Sequence, residues 1–201
     1  MAKRLVLTSC GIINKELKEA FYKLLNKPVD EMKVLYITTA IDGEEISDAG
    51  WFHNEFQTIL NLGIKEENIK EYNKLDDDID LSLFDMIYVL GGNTFYLLKK
   101  IKDTKFDAKL KEAIHNGILY VGSSAGSIIL GNTIELTSVF DKNFVNLTDF
   151  TGLKIFDGIF FPHANYEPEF VKEKKEQYQD KIYAVCDGHG IVIHNHKIKE
   201  V

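Results

Sequence analysis

LYVGSSAGS (residues 119–127) begins as an apolar, β-branched run and breaks into small residues around two adjacent serines. The run reads as a buried strand, and the apolar residues 128–130 that follow read as the core face of a short helix. Within the break, Gly122, Ser123, Ser124, Ala125 and Gly126 match G-x-S-x-G with Ser124 at the centre. In a nucleophile elbow the serine sits on a sharp strand-to-helix turn, small neighbours prevent clashes, and the next backbone N–H, here that of Ala125, faces a developing oxyanion. Ser123 falls out of register with the two glycines and ranks below Ser124. A Gly-rich turn without reactivity has the same spelling, so the choice depends on what surrounds it.

Outward from that segment, apolar strands alternate with amphipathic helices. Strands are predicted over 4–9, 33–39, 68–72, 86–92, 118–124, within 155–163, and over 182–188 and 190–196, the last two as a hairpin. Helices are predicted over 14–26, 44–63, from Asn93 or Thr94 onward, over 106–117 and over 167–180. The pattern predicts an α/β fold with a mostly parallel sheet covered on both faces. It shows no repeat or linker, so residues 1–201 read as a single domain. In such sheets ligands gather beyond the carboxyl ends of the strands. There the sequence places TSCG, TTAIDG, GGNT, GSSAG, PHAN and DGHG, which favours one active site assembled from separate loops.

Composition narrows the function classes. The chain has 201 residues, 45% of them hydrophobic, and a formal net charge of −7. That acidity gives no attraction to phosphate backbones, so nucleic acid is not an expected partner. No apolar run is long enough to predict a membrane span, and the N-terminus reads as a strand rather than a signal peptide. Cys10 and Cys186 lie outside any C-x-x-C motif and are expected as reduced thiols in a cytoplasmic protein.

A serine nucleophile needs a base. Of six histidines, His163 and His189 fall at predicted strand ends on the side of the expected site. His163 follows Pro162, which fixes the backbone before it, and is the first choice; His189 is the fallback. A base needs an acidic partner to hold its tautomer, and both Asp187 in VCDGHG and Asp141 in SVFDKN are candidates. In VLGGNTF (89–95), Gly91 and Gly92 allow close backbone approach, and their amides are candidates for a second oxyanion donor. The spacing matches no phosphate-binding motif, and no metal or cofactor is implied, since neither H-E-x-x-H nor a Cys/His cluster occurs. Trp51, Phe52 and His53 are candidates to line a pocket, with core packing the alternative for the two aromatics. The sequence gives no reading of oligomeric state.

VLGGNTFYLL, GILYVGSSAGSIIL and FPHANY, in that order and at this spacing, resemble the peptidase E family, the S51 serine peptidases that include aspartyl dipeptidases and relatives of cyanophycinase. The likeness runs from LVLTS through DGHGIVI. It implies a three-layer sandwich similar to class I glutamine amidotransferases, with serine in place of their cysteine. It also implies Ser124 as nucleophile, His163 as base, Asp187 as its acidic partner where relatives carry glutamate, and oxyanion-hole amides from Gly92 and Ala125, with Gly91 one residue away. The expected substrate is a short peptide, with an N-terminal aspartyl residue as the family's preference. An aspartyl pocket needs an Arg or Lys, and the sequence singles out none.

Overall fold

The computed structural model describes residues 3–43, 50–75, 79–195 and 197–201, apart from the side chain of Trp51. Nine strands and six α-helices follow one another in the described residues: β1 (Arg4–Thr8), α1 (Lys15–Tyr22), β2 (Val34–Ile37), α2 (Gly50–Leu60), β3 (Ile69–Tyr72), β4 (Met86–Val89), α3 (Thr94–Asp103), α4 (Phe106–His115), β5 (Leu119–Ser123), α5 (Ala125–Ile128), β6 (Ile159–Phe161), α6 (Pro168–Gln177), β7 (Ile182–Ala184), β8 (Gly190–His194) and β9 (Lys197–Glu200). The part of the predicted second helix over 44–49 lies outside the described residues.

Seven strands form one sheet in the order β3-β2-β4-β5-β1-β8-β9. The first five are mutually parallel, and β8 and β9 extend the sheet antiparallel. Every residue of β2, β4 and β5 is buried, which is why these strands read as continuous apolar runs rather than alternating ones. Their side chains divide between two cores. Leu35, Ile37, Ile87, Val89 and Tyr120 pack with Leu97, Leu98, Leu110 and Ile114 of α3 and α4. Val34, Tyr36, Met86, Tyr88 and Val121 pack with Leu17 and Phe21 of α1 and Ile59 of α2. Helices therefore cover both faces and make three layers.

One sequence expectation is corrected here. The segment over 182–188 does not form a hairpin with 190–196. β7 pairs in parallel with β6 in a separate two-stranded sheet, Ile159 opposite Ile182 and Phe161 opposite Ala184. β8 instead inserts beside β1 and turns into β9. The small sheet has its own core, in which Val171 of α6 covers Ile159, Phe161 and Ile182. Among the described residues no helix is long and apolar enough to cross a membrane.

Candidate active site

Strands β4, β5 and β1 lie side by side and end at the same edge of the sheet, with Thr8 in register with Ser123. Beyond their carboxyl ends stand Gly91 and Gly92, Ser124, and Ser9. The elbow between β5 and α5 is tight. Ser124 has φ 43° and ψ −109°, a conformation rarely occupied by a non-glycine residue and one met at functional turns. Its N–H donates to the Thr8 carbonyl at 3.0 Å. The Ser127 hydroxyl bonds both the N–H and the carbonyl of Thr8, each at 2.9 Å. The two glycines of the motif are required by packing. A Cβ on Gly126 would lie 2.2 Å from the Val89 oxygen, and one on Gly122 would lie 2.7 Å from the Gly126 backbone. β5, α5 and β4 come together more closely than any side chain permits.

The small parallel sheet presents the other polar groups. Past the paired residues Phe161 and Ala184, the two strands continue into Pro162–His163 and Val185–Asp187, tied by Val185 N–H to the Phe161 carbonyl at 2.9 Å and Ala164 N–H to the Val185 carbonyl at 3.0 Å. His163 itself has φ 56°. Its Nε2 is 3.1 Å from Ser124 Oγ, and its Nδ1 is 2.6 Å from Asp187 Oδ1. Phe140 packs edge-on against the imidazole, ring centroids 5.6 Å apart. Burial pushes the Asp187 carboxyl up. Hydrogen bonds from Ser9 and His163, the His163 charge and Tyr166 outweigh that effect and hold it below the usual carboxylate range.

Of the predicted residues, Ser124, His163 and Asp187 are brought into one hydrogen-bonded chain. Ser123 is buried beneath the elbow. His189 is exposed, its Nδ1 lying 3.2 Å from the Asp187 carbonyl oxygen. Asp141 has a different task from orienting His163: its Oδ2 accepts the Thr94 N–H at 2.8 Å and the Thr137 hydroxyl at 3.1 Å, closing the first turn of α3. Ala125 begins α5, where backbone N–H groups have no intrahelical acceptor. Gly92 has φ 127°, and a Cβ there would meet the Ala40 backbone at 2.6 Å. Gly91 approaches Ser124 most closely, with 3.2 Å from its would-be Cβ to Ser124 Cβ. Phe52 stacks on Tyr36 in the core and His53 is exposed; the Trp51 side chain lies outside the described residues.

Two residues not singled out by the sequence join the site. The Ser9 hydroxyl donates to Asp187 Oδ1 at 2.6 Å, accepts the His163 backbone N–H at 3.0 Å and lies 3.2 Å from His163 Nδ1. The only sequence signal for it was its place at the end of β1. Glu55, on α2, is buried and accepts a hydrogen bond from Tyr88 Oη at 2.8 Å. Burial pushes its carboxyl up to about 7, against the opposing effects of Ser123 and Tyr88. Cys10 also borders the site, its sulfur accepting the Gly188 N–H at 3.2 Å. Burial raises its thiol, and the charges of Asp187 and Glu55 add to this, so it is held as the neutral thiol.

These residues surround a cavity of about 510 Å³, lined by Ser9, Cys10, Glu55, Gly91, Gly92, Ser124, Phe140, Asp141 and His163 among others. A second cavity of about 630 Å³ lies at the other end of the sheet, around Arg4, Asp85 and Gly117. Its Arg4 guanidinium is already committed to the Gly117 and Leu24 carbonyls, and its Ser82 hydroxyl is tied at 2.7 Å to Asp80, the cap of the same turn, with no histidine among the described residues of the lining. The cavity beside Ser124 is the one bordered by a hydrogen-bonded serine and histidine.

The comparisons with known proteins identify the family. The model of peptidase family S51 matches residues 5–201. An uncharacterised peptidase of Listeria monocytogenes is 32% identical over 171 residues, 82% of this chain and 83% of its own length. Peptidase E of Escherichia coli is 31% identical over 130 residues, which span 64% of this chain and 55% of that enzyme. Among solved structures, a Listeria monocytogenes protein provisionally named a peptidase E superposes with a TM-score of 0.82 at 28% identity, covering 100% of this chain and 98% of that one.

Proposed function

The chain belongs to peptidase family S51, and from that premise we propose that it is a serine peptidase acting on short peptides through an acyl-enzyme. The observation that carries the reading is the relay from Ser124 Oγ through both ring nitrogens of His163 to Asp187, at 3.1 and 2.6 Å. Ser124 Oγ attacks the carbonyl carbon of the scissile bond while His163 Nε2 takes its proton. Asp187 accepts the Nδ1–H, fixes the tautomer and stabilises the imidazolium. The amides of Ala125 and Gly92 hold the oxyanion of the tetrahedral intermediate. On collapse the C–N bond breaks, and His163 delivers its proton to the leaving amine. A water, deprotonated by His163, then attacks the acyl carbon; on collapse the C–Oγ ester bond breaks, His163 returns the proton to Ser124 Oγ, and the carboxylic acid product leaves. No step calls for a metal or cofactor, and the partner implied is a small peptide, in the cytoplasm, where Cys10 and Cys186 remain free thiols.

The test is release of p-nitroaniline from aspartyl, leucyl and lysyl p-nitroanilides, with Ser124→Ala as control and fluorophosphonate labelling of Ser124 alongside. Release that vanishes in the variant, with labelling of the wild type, is expected. An unlabelled wild type, or a Ser124→Ala protein that keeps near-full turnover, refutes the scheme.

A further inference from the structure

The lining of the cavity beside Ser124 has an unbalanced charge. Among the described residues that border it, the ionisable acids are Glu55 and Asp141, and neither Lys nor Arg is present. The sequence adds none nearby on α2, since the first Lys or Arg after Arg4, Lys33 and their neighbours in the β1–β2 region is Lys65. A carboxylate-bearing substrate group has no counter-charge here. An ammonium group has one.

Glu55 is the better placed of the two acids. Both Asp141 hydrogen bonds go to one oxygen and serve the start of α3. Glu55 is 8% exposed, stands at the cavity wall, and among the described residues receives one hydrogen bond in ordinary geometry, from Tyr88. An ionised carboxylate has room for about four. The Ser123 hydroxyl, also on the cavity wall and 1% exposed, faces this carboxylate but closes no hydrogen bond of ordinary geometry. Among the described residues Glu55 and Ser123 thus form a buried, under-partnered polar pair on the wall of the cavity that Ser124 also lines. Such groups are costly to leave unsatisfied, and a ligand donor removes the cost. Gly11 packs closely behind this group: with φ 84°, a Cβ there would stand 3.2 Å from Tyr88 Oη and 3.6 Å from Glu55 Cγ.

We propose that Glu55 is the specificity residue of this site, holding an ammonium group of the substrate beside Ser124. The inference rests on the acyl-transfer reading above. The ammonium is either the free α-amino group of the residue being acylated or its basic side chain, and the two are separable.

The rate at which a fluorophosphonate labels Ser124 tests this without a known substrate. Competitors are L-leucinamide, N-acetyl-L-leucinamide, N-acetyl-L-lysinamide and succinate, applied to the wild type, Glu55→Gln and Asp141→Asn. The expected result is protection by an ammonium competitor at a concentration about 10- to 100-fold lower than by N-acetyl-L-leucinamide. That preference is lost in Glu55→Gln and kept in Asp141→Asn. Protection by leucinamide assigns the α-amino group, and protection by N-acetyl-L-lysinamide assigns the side chain. Succinate protecting as well as leucinamide, or a preference that survives Glu55→Gln, overturns the proposal while leaving the serine mechanism intact. No labelling of the wild type overturns both.

The wild type alone repeats the test if a variant does not fold. Between pH 5.5 and 7.5, below the amine pKa of about 7.7–8, protection by leucinamide strengthens as Glu55 ionises, and that by N-acetyl-L-leucinamide stays level. Tyr88 from β4, Tyr36 from β2 and Cys10 after β1 face Glu55, and burial holds all three neutral across this range. Asp141 and His163 are the other titratable groups of the cavity, and the acetylated competitor reports their influence. Equal profiles for the two competitors overturn the proposal.

Discussion

Asp187 meets His163 through Ser9 as well as directly: one carboxylate oxygen lies 2.6 Å from the imidazole Nδ1 and 2.6 Å from the Ser9 hydroxyl, and that hydroxyl also accepts the His163 backbone N–H. His163 and Asp187 follow the two strands of the small sheet, and Ser9, just past the end of β1 in the central sheet, bonds both. The relay is therefore positioned by the docking of one sheet on the other.

Replacing Asp187 with Asn leaves the shape but removes the acceptor that selects the His163 tautomer. Turnover should fall by roughly 10³- to 10⁴-fold with little change in KM, by analogy with serine peptidases of known mechanism. Stability gives a second readout. The folded-state carboxyl is held low, so its contribution is present above the unfolded value of about 3.9 and is lost as pH falls through the lower folded value. Thermal melts of wild type and variant should therefore differ at pH 6 and converge in strong acid. A constant gap at all pH values contradicts the assignment.

Ser9→Ala removes a buried hydroxyl that serves two partners. Destabilisation of about 1–3 kcal/mol is expected from the orphaned His163 N–H and the lost bond to Asp187. As a positioning residue it should lower kcat by about 10-fold or more while leaving KM in place, and the Asp187-linked acid transition should move to higher pH. A loss of stability with unchanged kcat would show that Ser9 only packs.

Gly126→Ala places a methyl group 2.2 Å from the Val89 carbonyl oxygen, with the Val89 Cβ 2.9 Å away. Backbone atoms of a central strand do not move aside cheaply. A penalty of about 3 kcal/mol or more is expected, or roughly 6–12 °C in the melting midpoint for a chain of this size. A variant that melts with the wild type would mean that the elbow tolerates a looser approach.

Glu55 carries the opposite linkage from Asp187. Its carboxyl is raised by burial from 4.5 to about 7, so between those values the folded state retains a proton that the unfolded state has released, and stability falls as pH rises. The loss should total about 3 kcal/mol and be complete somewhat above pH 7. Glu55→Gln should abolish it, so the variant gains on the wild type in denaturant unfolding between pH 4.5 and 8. Parallel stability profiles for the two proteins would show that Glu55 is not held in a charge-disfavouring site.

Local sequence determined much of this protein. The strand–turn–helix at Ser124, the capped start of α3 at Asn93, and the parallel order of buried strands all follow from short-range rules, because steric limits on small residues and hydrophobic period act over a few positions. Ser124 and His163 stood out because each follows a predicted strand, whereas Asp187 was one of two candidate aspartates until the family resemblance pointed to it. What only the tertiary structure decided is who meets whom. β7 has no local signal choosing β6 over β8, since either pairing buries Ile182 and Tyr183 equally well in principle; the choice comes from the core that α6 closes over the small sheet. Ser9 spells a turn residue, and Glu55 spells a polar position on an amphipathic helix. One becomes a clamp and the other a buried carboxyl only because β1 and α2 are packed against strands far away in sequence, and burial rather than residue type holds the Glu55 proton up to about pH 7.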